Sequence, residues 1–155
     1  MLNIQKDEEL FAAINGIFNE KIPFNKVLGL KVEMLRYDLV KTRFEMHDEL
    51  IGNYMRGSLH GGVISSAIDV TGGLSAFMSI QQKLPGGELK EKLERFNKLG
   101  TIDLRVDYLR PGIGRYFIST GYTLRTGSRV AVTRVELNNE QNDLIAVGTG
   151  SYVIA

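Results

Sequence analysis

The sequence predicts an α+β fold in which a curved, six-stranded antiparallel sheet wraps around one long buried helix. Three observations predict it. Six stretches alternate apolar and polar residues with the period of a half-buried strand. Between the second and third of them, Leu59 to Gln82 follows the helical period with Asp69 as its single carboxylate, and a helix apolar most of the way round is a buried one. Finally, 155 residues with 43% hydrophobic and 24% charged side chains suit a single domain, 1–155, with one core.

Taken in order, residues 1–20 read as an N-terminal amphipathic helix with Leu10, Ile14, Ile17 and Phe18 at helical spacing. A first strand carries Leu28, Leu30, Val32 and Met34 at alternate positions, interrupted by Gly29. The second sets Val40, Thr42, Phe44 and Met46 on one face and Lys41, Arg43 and Glu45 on the other. A polar turn region with His47, read as an exposed structural residue, continues through Gly52 and Asn53. In the buried helix, Gly72, Gly73 and small Ala and Ser residues let other backbone come close. Residues 82–100 form a charged helical insertion behind Pro85-Gly-Gly, with Glu88/Lys92 and Glu91/Arg95 spaced for a solvated face. The strands Thr101–Leu109, Arg115–Leu124, Val130–Leu137 and Leu144–Ile154 close the chain, and their short consecutive connections predict an antiparallel meander.

Composition narrows the function. Lys plus Arg number 19 against 18 Asp plus Glu, so no global field attracts nucleic acid or an anionic membrane as a partner. No stretch reads as the roughly 20 apolar residues of a membrane span. Acidic residues stand where a signal peptide carries positive charge, so the expected location is cytoplasmic. The absence of cysteine excludes a disulfide framework, thiol catalysis and thiolate zinc sites, and the two histidines, His47 and His60, argue against a multi-histidine metal centre. No cofactor and no metal are expected.

The most informative stretch is Asn53-Tyr-Met-Arg-Gly-Ser-Leu-His60-Gly61-Gly62-Val-Ile-Ser-Ser-Ala-Ile-Asp69. Two glycines lie where a loop turns into the buried helix, whose first N–H groups lack intrahelical partners and carry the positive end of the helix dipole. With no side chain in the way, Gly61 and Gly62 let a substrate carbonyl reach those donors, the arrangement of an oxyanion hole. The alternative is a tight loop with His60 a satisfied structural histidine. Asp69, a carboxylate on an apolar helix, is costly unless paired or functional; its alternative is a hydrogen-bond acceptor for a neighbouring strand. The two motifs stand nine positions apart, about 13 Å of helix rise, too far for one acyl group to meet both. If both act on one substrate, two subunits must supply them, as in a twofold dimer with antiparallel central helices.

Together with Thr101-Ile-Asp-Leu-Arg-Val-Asp-Tyr-Leu-Arg-Pro111 and the ending Leu144-Ile-Ala-Val-Gly-Thr-Gly-Ser-Tyr152, the segment Leu59-His60-Gly61-Gly62 and Asp69 resemble the hotdog-fold acyl-CoA thioesterases, closest to the phenylacetic-acid-degradation type. The resemblance spans about Phe24 to Tyr152. It implies that Asp69 is the nucleophile or the general base for a water. Gly61 N–H, with His60 nearby, would polarise the thioester carbonyl. Thr101 would position the attacking water, and Asn53 matches an asparagine upstream of the histidine, one residue farther away than in the family. The insertion between Gln82 and Gly100 is longer than in compact members, and either covers part of the acyl tunnel or is decoration. Ser128 and Arg129 are implied contacts for coenzyme A, with ordinary solvated charge at a hairpin end as the alternative. The substrate would be a medium- to long-chain fatty or an aryl acyl-CoA, coenzyme A being part of the substrate. The apolar lining candidates are Tyr54, Met55, Ile68, Phe77 and Met78. The expected assembly is a homodimer and a dimer of dimers. Two rival readings are a hydroxyacyl dehydratase on the same fold and a non-catalytic acyl-CoA-binding sensor or regulatory subunit.

Overall fold

The computed structural model describes residues 4–155. Helix α1 (Ile4–Gly16) continues through a five-residue π turn, Ile17–Lys21, into a short helix α2 (Pro23–Leu28). Strands β1 (Lys31–Leu35) and β2 (Val40–Glu45) follow, then a small hairpin of β3 (Ile51–Asn53) and β4 (Ser58–Leu59). The long helix α3 (Gly61–Lys83) leads to α4 (Leu89–Glu94), and β5 (Gly100–Tyr108), β6 (Tyr116–Thr126), β7 (Val130–Asn139) and β8 (Leu144–Val153) complete the chain. The strands form one antiparallel sheet in the order β1-β2-β6-β7-β8-β5, with α3 packed against it. This is the expected sheet around a helix.

Residues 1–3 of the expected N-terminal helix lie outside the described residues; over the rest, the expected elements stand with four corrections. Leu28 belongs to α2 rather than to a first strand: Pro23 opens that helix and Gly29, at φ 67°, ends it in the left-handed conformation that glycine adopts freely. The last four strands are not a simple meander. Leu59 N–H donates to Gly112 O at 2.9 Å and Met46 N–H to Arg115 O at 2.8 Å, so the 109–115 connection crosses the hairpin and delivers β6 to β2. Strand β5 is left to pair with β8 at the sheet edge. The insertion is not a solvated helix, because Leu89, Leu93, Phe96 and Leu99 make an apolar stripe that packs with Leu10, Ile14 and Phe18 on the second half of α3. Lys92 is buried in that contact, and Glu91 reaches back to Glu88 N–H as a capping box. Lastly, and against expectation, α3 at 23 residues is long and apolar enough to cross a membrane by length and composition; the sheet that buries it accounts for the apolar character.

Small residues let the sheet close on α3. A Cβ at Gly148 would overlap Ile68 Cγ2, and one at Gly121 would overlap Ser75 Oγ and lie 2.9 Å from Thr71 Cγ2. Thr71 itself bonds Thr42 Oγ1 across this seam at 2.8 Å, so the helix cannot retreat without breaking a buried polar pair. Gly121→Ala should therefore lower unfolding free energy by about 1–3 kcal/mol in urea denaturation. Gly86→Ala, with nothing within 4 Å of the new methyl, should stay near the parent value.

Candidate active site

Asp69 sits in the third turn of α3, half-buried, where β5 and β8 cross the helix. Its Oδ1 accepts from Thr101 Oγ1 at 2.9 Å and from Tyr152 OH at 3.2 Å. The same tyrosine hydroxyl lies 3.1 Å from the Asp69 carbonyl oxygen and shares its proton between the two. Asp69 Oδ2 has no partner among the described residues. One carboxylate oxygen is thus held by two hydroxyls while the other stays open.

Both donors depend on local departures from regular structure. Simple alternation along β5 would put Thr101 on the outer face with Asp103, Arg105 and Asp107. Pairing with β8 instead runs Thr101↔Tyr152 and then Asp103↔Ser151, leaving Ile102 as an extra, unpaired residue. This β-bulge resets the phase, so Thr101 and also Leu104, Val106 and Tyr108 face α3. Tyr152 needs the absence of a side chain at Gly72, where a Cβ would overlap its hydroxyl and lie 2.9 Å from Thr133 Oγ1. The phenol is almost wholly enclosed. Burial first, and then the Asp69 charge and hydrogen bond, push its pKa far above the ordinary tyrosine value, which keeps it a donor.

The other motif sits at the start of α3. His60 caps the helix, its Nδ1 accepting from Gly62 N–H at 2.8 Å. A neutral ring so bonded carries its proton on Nε2. A Cβ at Gly62 would stand 2.9 Å from that Nδ1, so the second glycine makes the cap possible. Of the two glycine amides, Gly62 is therefore occupied and Gly61 N–H alone has no acceptor among the described residues. Tyr108 OH donates to Gly61 O at 3.1 Å, tying the helix start to the end of β5.

Asp69 and Thr101 are therefore together, whereas Gly61 and His60 are about 12 Å farther along the same unbroken helix. Asn53 joins neither group: its Oδ1 accepts from Met55 and Arg56 N–H, both at 3.2 Å, within the exposed β3–β4 turn. Ser128 and Arg129 are exposed in the β6–β7 turn, beside the far end of α3, where Lys83 Nζ bonds Gly127 O at 2.9 Å. His47 lies outside the site, 2.9 Å from Glu49.

An apolar pocket of about 190 Å³ opens beside Asp69 and Thr101, walled by Phe18, Ile22 and Phe24 on one side and Phe96 and Leu99 on the other. The expected lining residues are elsewhere. Tyr54 and Met55 are exposed at the hairpin turn, Ile68 packs against the sheet at Gly148, and Phe77 and Met78 are covered by the N-terminal segment and the insertion. The insertion thus walls this pocket, in line with the expectation that it could cover an acyl tunnel, whereas the part played by the N-terminal segment was not legible without its packing. Tyr152, Tyr108 and the bulge were also missed. The one available signal was a lone tyrosine following Gly148 and Gly150 on an inward-facing strand.

Residues 56–146, more than half of the sequence, match the thioesterase superfamily, and they contain His60, Gly61, Asp69 and Thr101. The chain belongs to that superfamily. The medium/long-chain acyl-CoA thioesterase YigI of Escherichia coli K12 is 39% identical over 150 residues, 95% of each chain. Among crystal structures, a Shewanella oneidensis protein related to the thioesterase superfamily superposes with a TM-score of 0.93 at 42% identity, covering 100% of both chains. A candidate thioesterase of Syntrophus aciditrophicus gives 0.89 at 56% identity, covering 97% of this chain and 99% of the other. This thioesterase-superfamily chain has the hotdog fold and is a thioester hydrolase.

The buried tyrosine of this thioesterase makes a testable mark on stability. Tyr152 ionises near pH 10 when unfolded and well above that when folded, so its contribution is intact below about pH 10 and is lost as pH rises further. Tyr152→Phe should flatten the alkaline fall of unfolding free energy in urea titrations between about pH 8 and 11. The flattening will be partial, since Tyr37, bonded to Asp7, shifts in the same direction.

Proposed function

We propose that the chain, acting as one domain over 1–155, hydrolyses medium- to long-chain fatty acyl-CoA thioesters to the free acid and coenzyme A, with Asp69 as general base. The observation that carries this reading is the Asp69 carboxylate, with Oδ1 held by two hydroxyls and Oδ2 open at the mouth of an apolar pocket. The similarity to medium/long-chain acyl-CoA thioesterases supports the substrate class.

In this mechanism a water between Asp69 Oδ2 and Thr101 Oγ1 attacks the thioester carbonyl carbon and gives its proton to Oδ2. The carbonyl oxygen becomes an oxyanion that accepts from a Gly61 N–H, at the positive end of a 23-residue helix. Collapse of the tetrahedral intermediate breaks the C–S bond, and the proton on Asp69 passes to the departing sulfur. A thiol of pKa about 8.5 leaves readily, so no stronger acid is required.

The distance along α3 makes the second subunit part of the proposal. Strand β5 is an exposed, nine-residue sheet edge, which a second copy would cover. Thr101, bonded to Asp69, is near one end of it, and Tyr108, bonded to Gly61, is at the other. An antiparallel copy of β5 about a twofold axis lays Tyr108 of one subunit beside Thr101 of the other, and so brings a Gly61 amide to the opposite Asp69. His60 Nε2–H would be a second donor at that carbonyl. The exposed Ser128 and Arg129 are the proposed contacts for the coenzyme A phosphates, with two such dimers pairing further.

Thiol release from a panel of acyl-CoAs, followed with a disulfide dye, tests the reaction without background because the protein has no cysteine. Asp69→Asn should lower kcat about 10²- to 10⁴-fold. Binding of acyl-CoA with no thiol release would replace this reading with the sensor or regulatory one. Sharing of the site is tested by co-expressing Asp69→Asn and Gly61→Val, each inactive alone. Random pairing should restore about a quarter of parental activity if each site draws on both chains, and none if it does not.

A further inference from the structure

The proposed chemistry leaves one residue of α3 unexplained. Gly72 is needed because a side chain there would strike Tyr152, but Gly73 has no such reason. A Cβ at Gly73 would stand 3.5 Å from Tyr152 Cε1 and 3.8 Å from Leu99 Cδ2, ordinary van der Waals contacts. Its backbone is not among the positive-φ glycines either. In a helix interior alanine is more stable than glycine. The fold would therefore gain from a methyl group that it lacks.

Gly73 is four residues after Asp69, on the same helix face and about 6 Å deeper. It is also part of the wall of the apolar pocket, with Leu74 beside it and Leu99 across. The aromatic walls are locked by their own packing: Phe96 stands edge-to-face with Phe18 and with Phe77 of the core, each pair 5.7 Å between centroids. An extended hydrocarbon whose carbonyl carbon lies at Asp69 would pass Gly73 before meeting those rings.

We propose that this pocket, roofed by the N-terminal segment and the insertion, seats the acyl chain, and that Gly73 is a specificity-determining residue whose missing side chain sets how long a chain the site accepts. This rests on the acyl-CoA thioesterase reading. The missing methyl keeps the channel open just beyond the reacting carbon, where even one added carbon blocks the path of every longer substrate.

The test compares kcat/KM over a series from butyryl- to palmitoyl-CoA. In Gly73→Ala the ratio of octanoyl and longer substrates to butyryl should fall at least about tenfold, the usual effect of one carbon group in an apolar pocket. Its thermal midpoint should be equal to or above the parent's, which separates a narrowed pocket from a damaged fold. Leu99→Ala, widening the opposite wall, should move the same ratio upward. An unchanged ratio in both variants, with the parent active, overturns the pocket assignment and leaves the thioesterase reading intact. No hydrolysis of any acyl-CoA by the parent overturns both.

Discussion

The burial of one uninterrupted apolar helix is the constraint on which the rest of the molecule depends. Because α3 runs straight from Gly61 to Lys83, the free amide at its start and the carboxylate in its third turn are held at a fixed separation that no side-chain movement can close. The sheet secures that rod by close approach rather than by charge. Glycines at 121 and 148 admit Ser75 and Ile68 into the strand surface, and the Thr42–Thr71 bond spans the contact. A helix held this tightly is a good support for polar groups that must not drift.

On that support, Asp69 is oriented from outside its own helix. Its two donors come from β5 and β8, neighbours in the sheet but more than forty residues apart in sequence. The arrangement leaves one carboxylate oxygen satisfied and the other open, a division of labour that a surface aspartate would not keep. Most of the wall of the adjoining pocket that faces α3 comes from elsewhere again, from residues before β1 and from the insertion after α3. Thus the polar groups are carried by the sheet and helix, while the apolar surroundings are completed by additions to them.

Much of this was legible in the sequence because the periods are clean. Val40, Thr42 and Phe44 alternate inward as read, α3 begins within two residues of the expected start, and Leu10, Ile14 and Phe18 are buried as their spacing requires. Asp69 stood out as a lone carboxylate in an apolar helix, and its partner Thr101 was named through family resemblance. Strand order was not legible: nothing local in Arg110-Pro-Gly-Ile-Gly tells that the chain crosses to β2 instead of turning back. The insertion was misread because its charges were counted and its leucine and phenylalanine stripe was not. The pocket lining was unreadable for a deeper reason. It joins residues near 20 with residues near 98, and only tertiary packing decides which apolar side chains leave a gap between them.

The bulge at Ile102 has a consequence for comparing this chain with others. Sidedness in a strand is a matter of odd and even, and Ile102 acts as a single added count that separates Thr101 from the register of everything after it. A homologue could keep every residue type along β5 and still turn its threonine to the outer face by losing one position between 101 and 104. Retention of the hydroxyl–carboxylate contact is thus decided by parity, and a residue-by-residue match that tolerates a gap in this strand says nothing about it.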